Sequence, residues 1–450
     1  MNNNEQSCQT VSSTLGSGYP ATDLSLSDSL TKAAWYRWLI FAVLSGGYIL
    51  VYFHRLCPAV VAVDMMADLQ AGGALLGLLG SAYFYPYALM QLPAGLLADS
   101  WGPRRTIALF SLLAACGSFI LGLAPSIEMA ILGRTLVGLG VSMLFVPTMK
   151  ILTEWFKPRE FARMTGILLA MGGAGSLIAT TPLALLTDQF GWRFAFIVVG
   201  VLTLLLAVLV WSIVRDRPSD MVWDSPLTKK TAHPELNVRQ GLCQILSNRH
   251  FWPLAAWFFF QSALFFSFAG LWGGPFLQHI YGLDRAQTGQ ILSFLAIGLM
   301  FGSPLQTWLS NRLFNGRKPA LILASTVSSG IALMLTTQTG NMSLPTLYIL
   351  CLLMGAFTSA SVVIGFSAAK ELFPTQISGT AIGLINLFPF AGGAVFQPFI
   401  GMILEHHGKI DGAYTLNGYQ QSFVALLICA LISFVASLLT KETFGESSTK

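Results

Sequence analysis

Gly95-Leu96-Leu97-Ala98-Asp99-Ser100-Trp101-Gly102-Pro103-Arg104-Arg105 joins two long apolar runs and sets a carboxylate, two glycines and two guanidinium groups into one tight hydrophilic turn. Glycine permits close helix approach or a left-handed backbone. Asp99 can cap the helix that follows, and Arg104 and Arg105 can pair with it while staying on the positive side of a membrane. The turn therefore reads as a surface loop between two membrane-crossing helices.

The whole chain supports that setting. Of 450 residues, 54% are hydrophobic and 10% charged, against about 25% charged in an average soluble domain. Lipid must then be the solvent for much of the surface. Apolar segments long enough to cross about 30 Å of hydrocarbon as helices fall near 36–63, 74–97, 105–124, 128–150, 164–187, 193–213, 251–278, 286–309, 319–337, 345–369, 377–403 and 421–440. The expected fold is an all-α integral membrane protein of twelve transmembrane helices. Among the basic residues, only Arg193, Arg285 and Lys409 fall on the side opposite the N-terminus, and Arg55 and Arg134 fall within spans. The positive-inside bias predicts both termini in the cytoplasm of a cell membrane. The expected organisation is a disordered tail (1–34), a six-helix bundle (35–214), a polar linker (215–250), a second six-helix bundle (251–440) and a short tail (441–450). The six cysteines share no ligand-like spacing. No metal cluster, nucleophile elbow or phosphate loop is visible, so an enzyme and a cofactor are not expected, and neither is a nucleic-acid partner.

The two bundles repeat. Adding 217 maps Pro58 onto Pro275, Gly138 onto Gly355, Glu154 onto Glu371, Gly166 onto Gly383 and Gly191 onto Gly408. An offset of 212 maps Gly77 onto Gly289 and Asp99 onto Asn311.

The opening stretch resembles the loop signature G-x-L-x-D-x-x-G-x-R-R between the second and third helices of the major facilitator superfamily of secondary transporters. The resemblance implies two pseudo-symmetric six-helix bundles, substrate bound between them near the midplane, and rocking alternating access. It also assigns Gly95, Asp99, Gly102, Arg104 and Arg105 to a gating loop, whose second copy is degraded at Asn311. Lys150 with Glu154 and Lys370 with Glu371, at neighbouring helix ends, read as surface ion pairs or as parts of an inner gate.

The membrane interior holds few ionisable groups: Arg55, Arg134 and His54. A charge at a helix centre costs at least about 2.5–3.5 kcal/mol, so such residues face a cavity or a partner. At 1.5 Å per residue, Arg55 lies roughly 13 Å from the outer end of its helix and Arg134 roughly 9 Å from the outer end of its own. With no buried carboxylate to neutralise them, the simplest partner is an anionic ligand; the alternative is backbone carbonyls. Tyr48 and Tyr52 share a helical face with Arg55, and Tyr83, Tyr87 and Gln91 form a second stripe. These tyrosines line the cavity or pack the core. Gln261, Asn386 and Gln397 are the buried amides of the second half, set to bond a substrate or a neighbouring helix.

Tyr52-Phe53-His54-Arg55, with Pro58-Ala59-Val60 after it, resembles the first helix of the anion:cation symporter branch of that superfamily, where the motif reads Tyr-x-Asp-Arg and the arginine holds a substrate carboxylate. Two departures stand out. His54 replaces the aspartate, and Val141 stands where the proton-coupling glutamate of the branch is expected. His54 is then the proton-coupling candidate, against a helix-packing role.

The reading is a monomeric transporter of a small, anionic solute in the lipid bilayer. Arg55 is the anchor, Arg134 a second positive element, and Tyr48, Tyr52, Tyr83, Tyr87, Gln261 and Asn386 are contacts. Proton-coupled symport is the expected mode. An efflux antiporter for amphipathic compounds, and a facilitative or exchange carrier, remain open alternatives.

Overall fold

A computed structural model describes residues 21–218 and 238–445. Most of the segment read as a tail, and the centre of the linker, lie outside the described residues. The first helix nevertheless begins at Ala21, inside the segment read as a disordered tail.

Ten stretches are long and apolar enough to cross a membrane, and a bent pair adds an eleventh. Span 1 is Trp35–Leu56, extended by Pro58–Asp68; span 2 is Gly73–Leu89 with Pro93–Ser100, bent by 58°; span 3 is Pro103–Gly122 and span 4 Ile127–Trp155. The long stretch Arg159–Ile213 holds two crossings. Glu160 at its start pairs with Arg37, and the carbonyl of Ile213 at its end accepts from Tyr36, so the chain must turn back between them. It does so at Gly191, with φ 81° and ψ 160°, a left-handed conformation that an L side chain resists. Span 5 therefore ends, and span 6 begins, at that residue. Spans 7 to 12 are Phe251–Tyr281, Arg285–Leu313, Arg317–Thr337, Leu344–Glu371, Gly379–His407 and Leu416–Leu439. Gly408, the repeat partner of Gly191, ends span 11 with φ 74°. A two-residue hairpin, Lys409–Ile410 with Ala413–Tyr414, follows it.

The repeat extends to packing. A methyl group on Gly138 would strike the carbonyl of Tyr83 in span 2, and one on Gly355 would strike that of Leu295 in span 8. Spans 4 and 10 thus lie on spans 2 and 8 at backbone distance, where only hydrogen fits.

The breaks follow from proline. Pro93 cannot donate to Leu89, which is where span 2 bends, and Pro389 cannot donate to Ile385, where span 11 is interrupted at Asn386. The last part of the polar linker, Val238–Leu246, is helical and buries Ile245 against the second half.

Trp35 and Leu439 mark one end of the bundle, here called proximal; Gly191 and Gly408 mark the distal end. At the proximal end each half is tied shut by an acid that follows its last span. The backbone N–H of Arg104 donates to Asp216 Oδ1 (2.6 Å), and those of Arg317 and Lys318 donate to Glu442 (2.8 and 3.0 Å). Partial burial opposes the charge of Glu442, but backbone N–H groups of Phe444, Arg317, Lys318 and Thr443 hold its carboxyl below the ordinary range.

Candidate functional site

The two halves enclose a cavity of about 1430 Å³. Its walls run from Arg55 and Tyr52 deep inside to Asp99, Arg312 and Lys370 at the proximal mouth. The distal end is closed between the halves. A Cβ on Gly77 of span 2 would lie 2.5 Å from Cα of Pro398 in span 11, and the Ala74 N–H donates to Glu405 Oε2 (2.9 Å). Beside this seam Arg285, the first residue of span 8, reaches into the other half and pairs with Asp64 (2.5 Å) and Asp188.

Arg55 is 7% exposed and is held among rings rather than acids. Its guanidinium carbon lies 4.5 Å from the ring centroid of Tyr52, 5.2 Å from that of Tyr87 and 5.0 Å from that of Phe390. No ion pair reaches it among the described residues. Aromatic faces stabilise a guanidinium by about 0.5–2 kcal/mol each, and its plane can still be shared with a planar anion. Tyr48, Tyr52, Tyr87 and Asn386 also line the cavity. Asn386 donates to Gln91 Oε1 across the halves (2.7 Å), and Gln91 itself donates to the Tyr87 carbonyl (3.1 Å). The cavity carries three cations, Arg55, Arg312 and Lys370, and Asp99 is the acid on its wall among the described residues.

Other expected residues lie behind this wall. Arg134 is 1% exposed, sits 4.9 Å over the Tyr83 ring and reaches Cys57 Sγ at 3.9 Å. Tyr83 is buried with its hydroxyl toward the Val51 carbonyl (3.4 Å). His54 is fully buried beside Phe53, with neither ring nitrogen hydrogen-bonded. Gln261 donates to Ser328 (2.8 Å) and accepts from Ser433 (3.0 Å), so it ties spans 7, 9 and 12 together inside the second half. None of the four borders the cavity in this conformation. Phe390 and Gln91 do, and Phe390 had no sequence signal beyond its place in an apolar run.

The loop differs from expectation in its pairing. Asp99 neither caps the next helix nor pairs with Arg104 or Arg105. It lies inside the helix Gln91–Ser100, and Gly102, at φ 89°, is the capping residue. Lys150 takes the carboxylate at 2.5 Å, which corrects the Lys150–Glu154 pairing; a lysine at a span end reaches a neighbouring loop more easily than it folds back along its own helix. Arg104 stacks on Trp211 at 4.8 Å and donates to its carbonyl. Glu371 likewise pairs with Arg317 (2.8 Å) and not with Lys370, which stays at the cavity mouth. Gly95 borders the cavity with open space above its Cα.

The family model described as Major Facilitator Superfamily matches residues 44–386 and 273–450. A probable hexose phosphate transport protein of Chlamydia trachomatis is 24% identical, with 92% of this chain and 93% of that protein covered. A hexuronate transporter of Bacillus subtilis is 23% identical, with 91% and 96% covered. Among solved structures, a bacterial homologue of the human lysosomal transporter Spinster, described as inward-facing and unoccupied, superposes with a TM-score of 0.74 at 20% identity, over 90% of this chain and 97% of that one. These likenesses bear out the twelve-helix, two-bundle fold.

Proposed function

The chain belongs to the Major Facilitator Superfamily, and from that premise we propose that it carries small organic anions, carboxylates foremost, by alternating access with Arg55 as anchor. One observation carries the reading: a guanidinium with no acid partner among the described residues lies deep in the cavity between the halves, walled by Tyr52, Tyr87 and Phe390. Such a charge is costly to bury and is relieved by a planar anion in its fork. The relatives named for hexuronates and hexose phosphates support the same solute class. Tyr48, Tyr52, Tyr87 and Asn386 shape the anion's surroundings, while Arg134, Tyr83 and Gln261 support the wall from behind. The positive-inside bias of the basic loops favours a cytoplasmic proximal end, with the protein in the cell membrane.

Binding is the direct test. A ligand of the folded state raises thermal stability by RT ln(1 + [L]/Kd). Glucuronate and glucose 6-phosphate should stabilise the purified protein saturably, and uncharged hexoses should not. Stabilisation by amphipathic cations alone would replace this reading with drug efflux. His54 is the proposed proton carrier of a symport cycle, reached in a conformation other than the proximally open one. Concentrative uptake driven by a pH gradient should be lost in His54→Gln proteoliposomes, with gradient-free counterflow retained; uptake unchanged in that variant removes the assignment.

The gating loop gives a separate expectation. Asp99→Asn removes the charge that attracts Lys150 at the cavity mouth, far from Arg55. Transport should slow by at most about fivefold, the range of one exposed ion pair, while equilibrium anion affinity is unchanged, since only the switching equilibrium is touched. A selective loss of affinity with turnover intact would contradict a gating role.

A further inference from the structure

Arg55 belongs to the first half, but one of the three rings around it belongs to the second. We propose that Phe390 is the positioning residue through which the charge state of Arg55 reaches the distal seal, so that neutralising the guanidinium loosens that seal. The proposal rests on the reading of Arg55 as the anion's anchor.

The geometry supplies the link. Phe390 is 5% exposed, 5.0 Å from the Arg55 guanidinium carbon, 4.2 Å from the Tyr87 ring centroid and near-parallel to Phe266 at 6.0 Å. It follows the interruption of span 11 at Asn386 and opens the helix Leu387–His407. That same helix carries Pro398, Gly401 and Glu405, which close against Gly77, Gly73 and Ala74 of span 2. From Phe390 to Gly401 is roughly 16 Å along one helix. A single segment thus holds the ring on Arg55 at one end and the seal at the other.

The pull between a ring and a guanidinium depends on the positive charge. A carboxylate paired in the plane of Arg55 cancels much of that charge without needing the ring's position, so the ring's hold weakens as the anion binds. The empty cavity then keeps span 11 most firmly against span 1, and the loaded one releases it. The distally open population should rise by roughly threefold to thirtyfold on neutralisation, the span of one cation–ring contact. Loaded exchange across the membrane is then faster than return of the empty protein.

A double-mutant cycle tests this without any ligand. Spin labels on cysteines placed at Ala67 and Ile410, both exposed at the distal end, report the distance between the halves in the full-length protein. Arg55→Gln and Phe390→Leu should each raise the distally open fraction severalfold, and the double variant should add little to either. Phe390→Tyr keeps the ring and should match the wild type, which separates the ring's hold from mere loss of packing. Glucuronate should reproduce the Arg55→Gln shift in the wild type and have no such effect in Phe390→Leu. Simple additivity of the two substitutions, or a Phe390→Tyr variant as open as Phe390→Leu, overturns the proposal. Carboxylate binding itself is judged separately, by the stabilisation described above, so the two readings fail independently.

Discussion

Arg55→Ala should remove measurable binding of the transported anion, and Arg55→Lys should lose most of it. Two charge-assisted hydrogen bonds from one fork contribute about 3 kcal/mol, or roughly 100-fold in affinity. Lysine keeps the charge but offers a point donor in place of a plane, and its ammonium cannot lie flat among Tyr52, Tyr87 and Phe390 as the guanidinium does. A loss of about 30-fold or more is therefore expected even for the charge-conserving change. Calorimetric titration of the purified variants decides it. Affinities equal to wild type in both would take Arg55 out of the site and leave the rings around it as packing.

Arg285→Gln should open the distal end. This side chain carries both cross-half ion pairs of that end among the described residues, to Asp64 and to Asp188, and it is 20% exposed. Each pair is discounted for its contact with solvent to about 0.5–1 kcal/mol, so losing both moves the equilibrium between proximally and distally open states by about tenfold. Raising the salt concentration should move the wild type the same way, though less. The measurement is the rate at which an impermeant thiol reagent, applied from the distal side, modifies a cysteine placed at Tyr52. An unchanged rate would mean that the close packing of spans 2 and 11 seals the end alone.

Much of this was legible in the chain. The turn from Gly95 to Arg105, the spacing of apolar runs and the ordered repeat from Pro58/Pro275 to Gly191/Gly408 led to the observed fold, because hydrocarbon thickness and backbone conformation act locally on sequence. Depth was legible too, and Arg55 lines the cavity. Facing was harder. Arg134 was placed at similar depth by counting residues, but which side of span 4 meets the cavity depends on how span 2 packs against it, and Tyr83 stands between. The partners of Lys150 and Glu371 were misjudged for a related reason. Spacing along one helix suggests neighbours, whereas Asp99 and Arg317 arrive from other spans and hold the charges more closely. Phe390 and the Asn386–Gln91 pair depend on contact between halves separated by hundreds of residues, for which a single sequence has no local pattern.

The caps formed by Asp216 and Glu442 bear on how the molecule is made. Among the described residues, the third helix of each half receives its side-chain N-terminal ligand from an acid that follows that half's last crossing. Chains are synthesised from the N-terminus and domains tend to complete themselves in that order. The first half can thus finish as soon as Asp216 emerges, before any of the second half exists. The second half must wait for Glu442, which follows its last crossing. A ribosome stalled far enough beyond Asp216 for that residue to have emerged should therefore hold a protease-resistant six-helix product, whereas a released chain ended just before Glu442 should leave the second half open to cleavage.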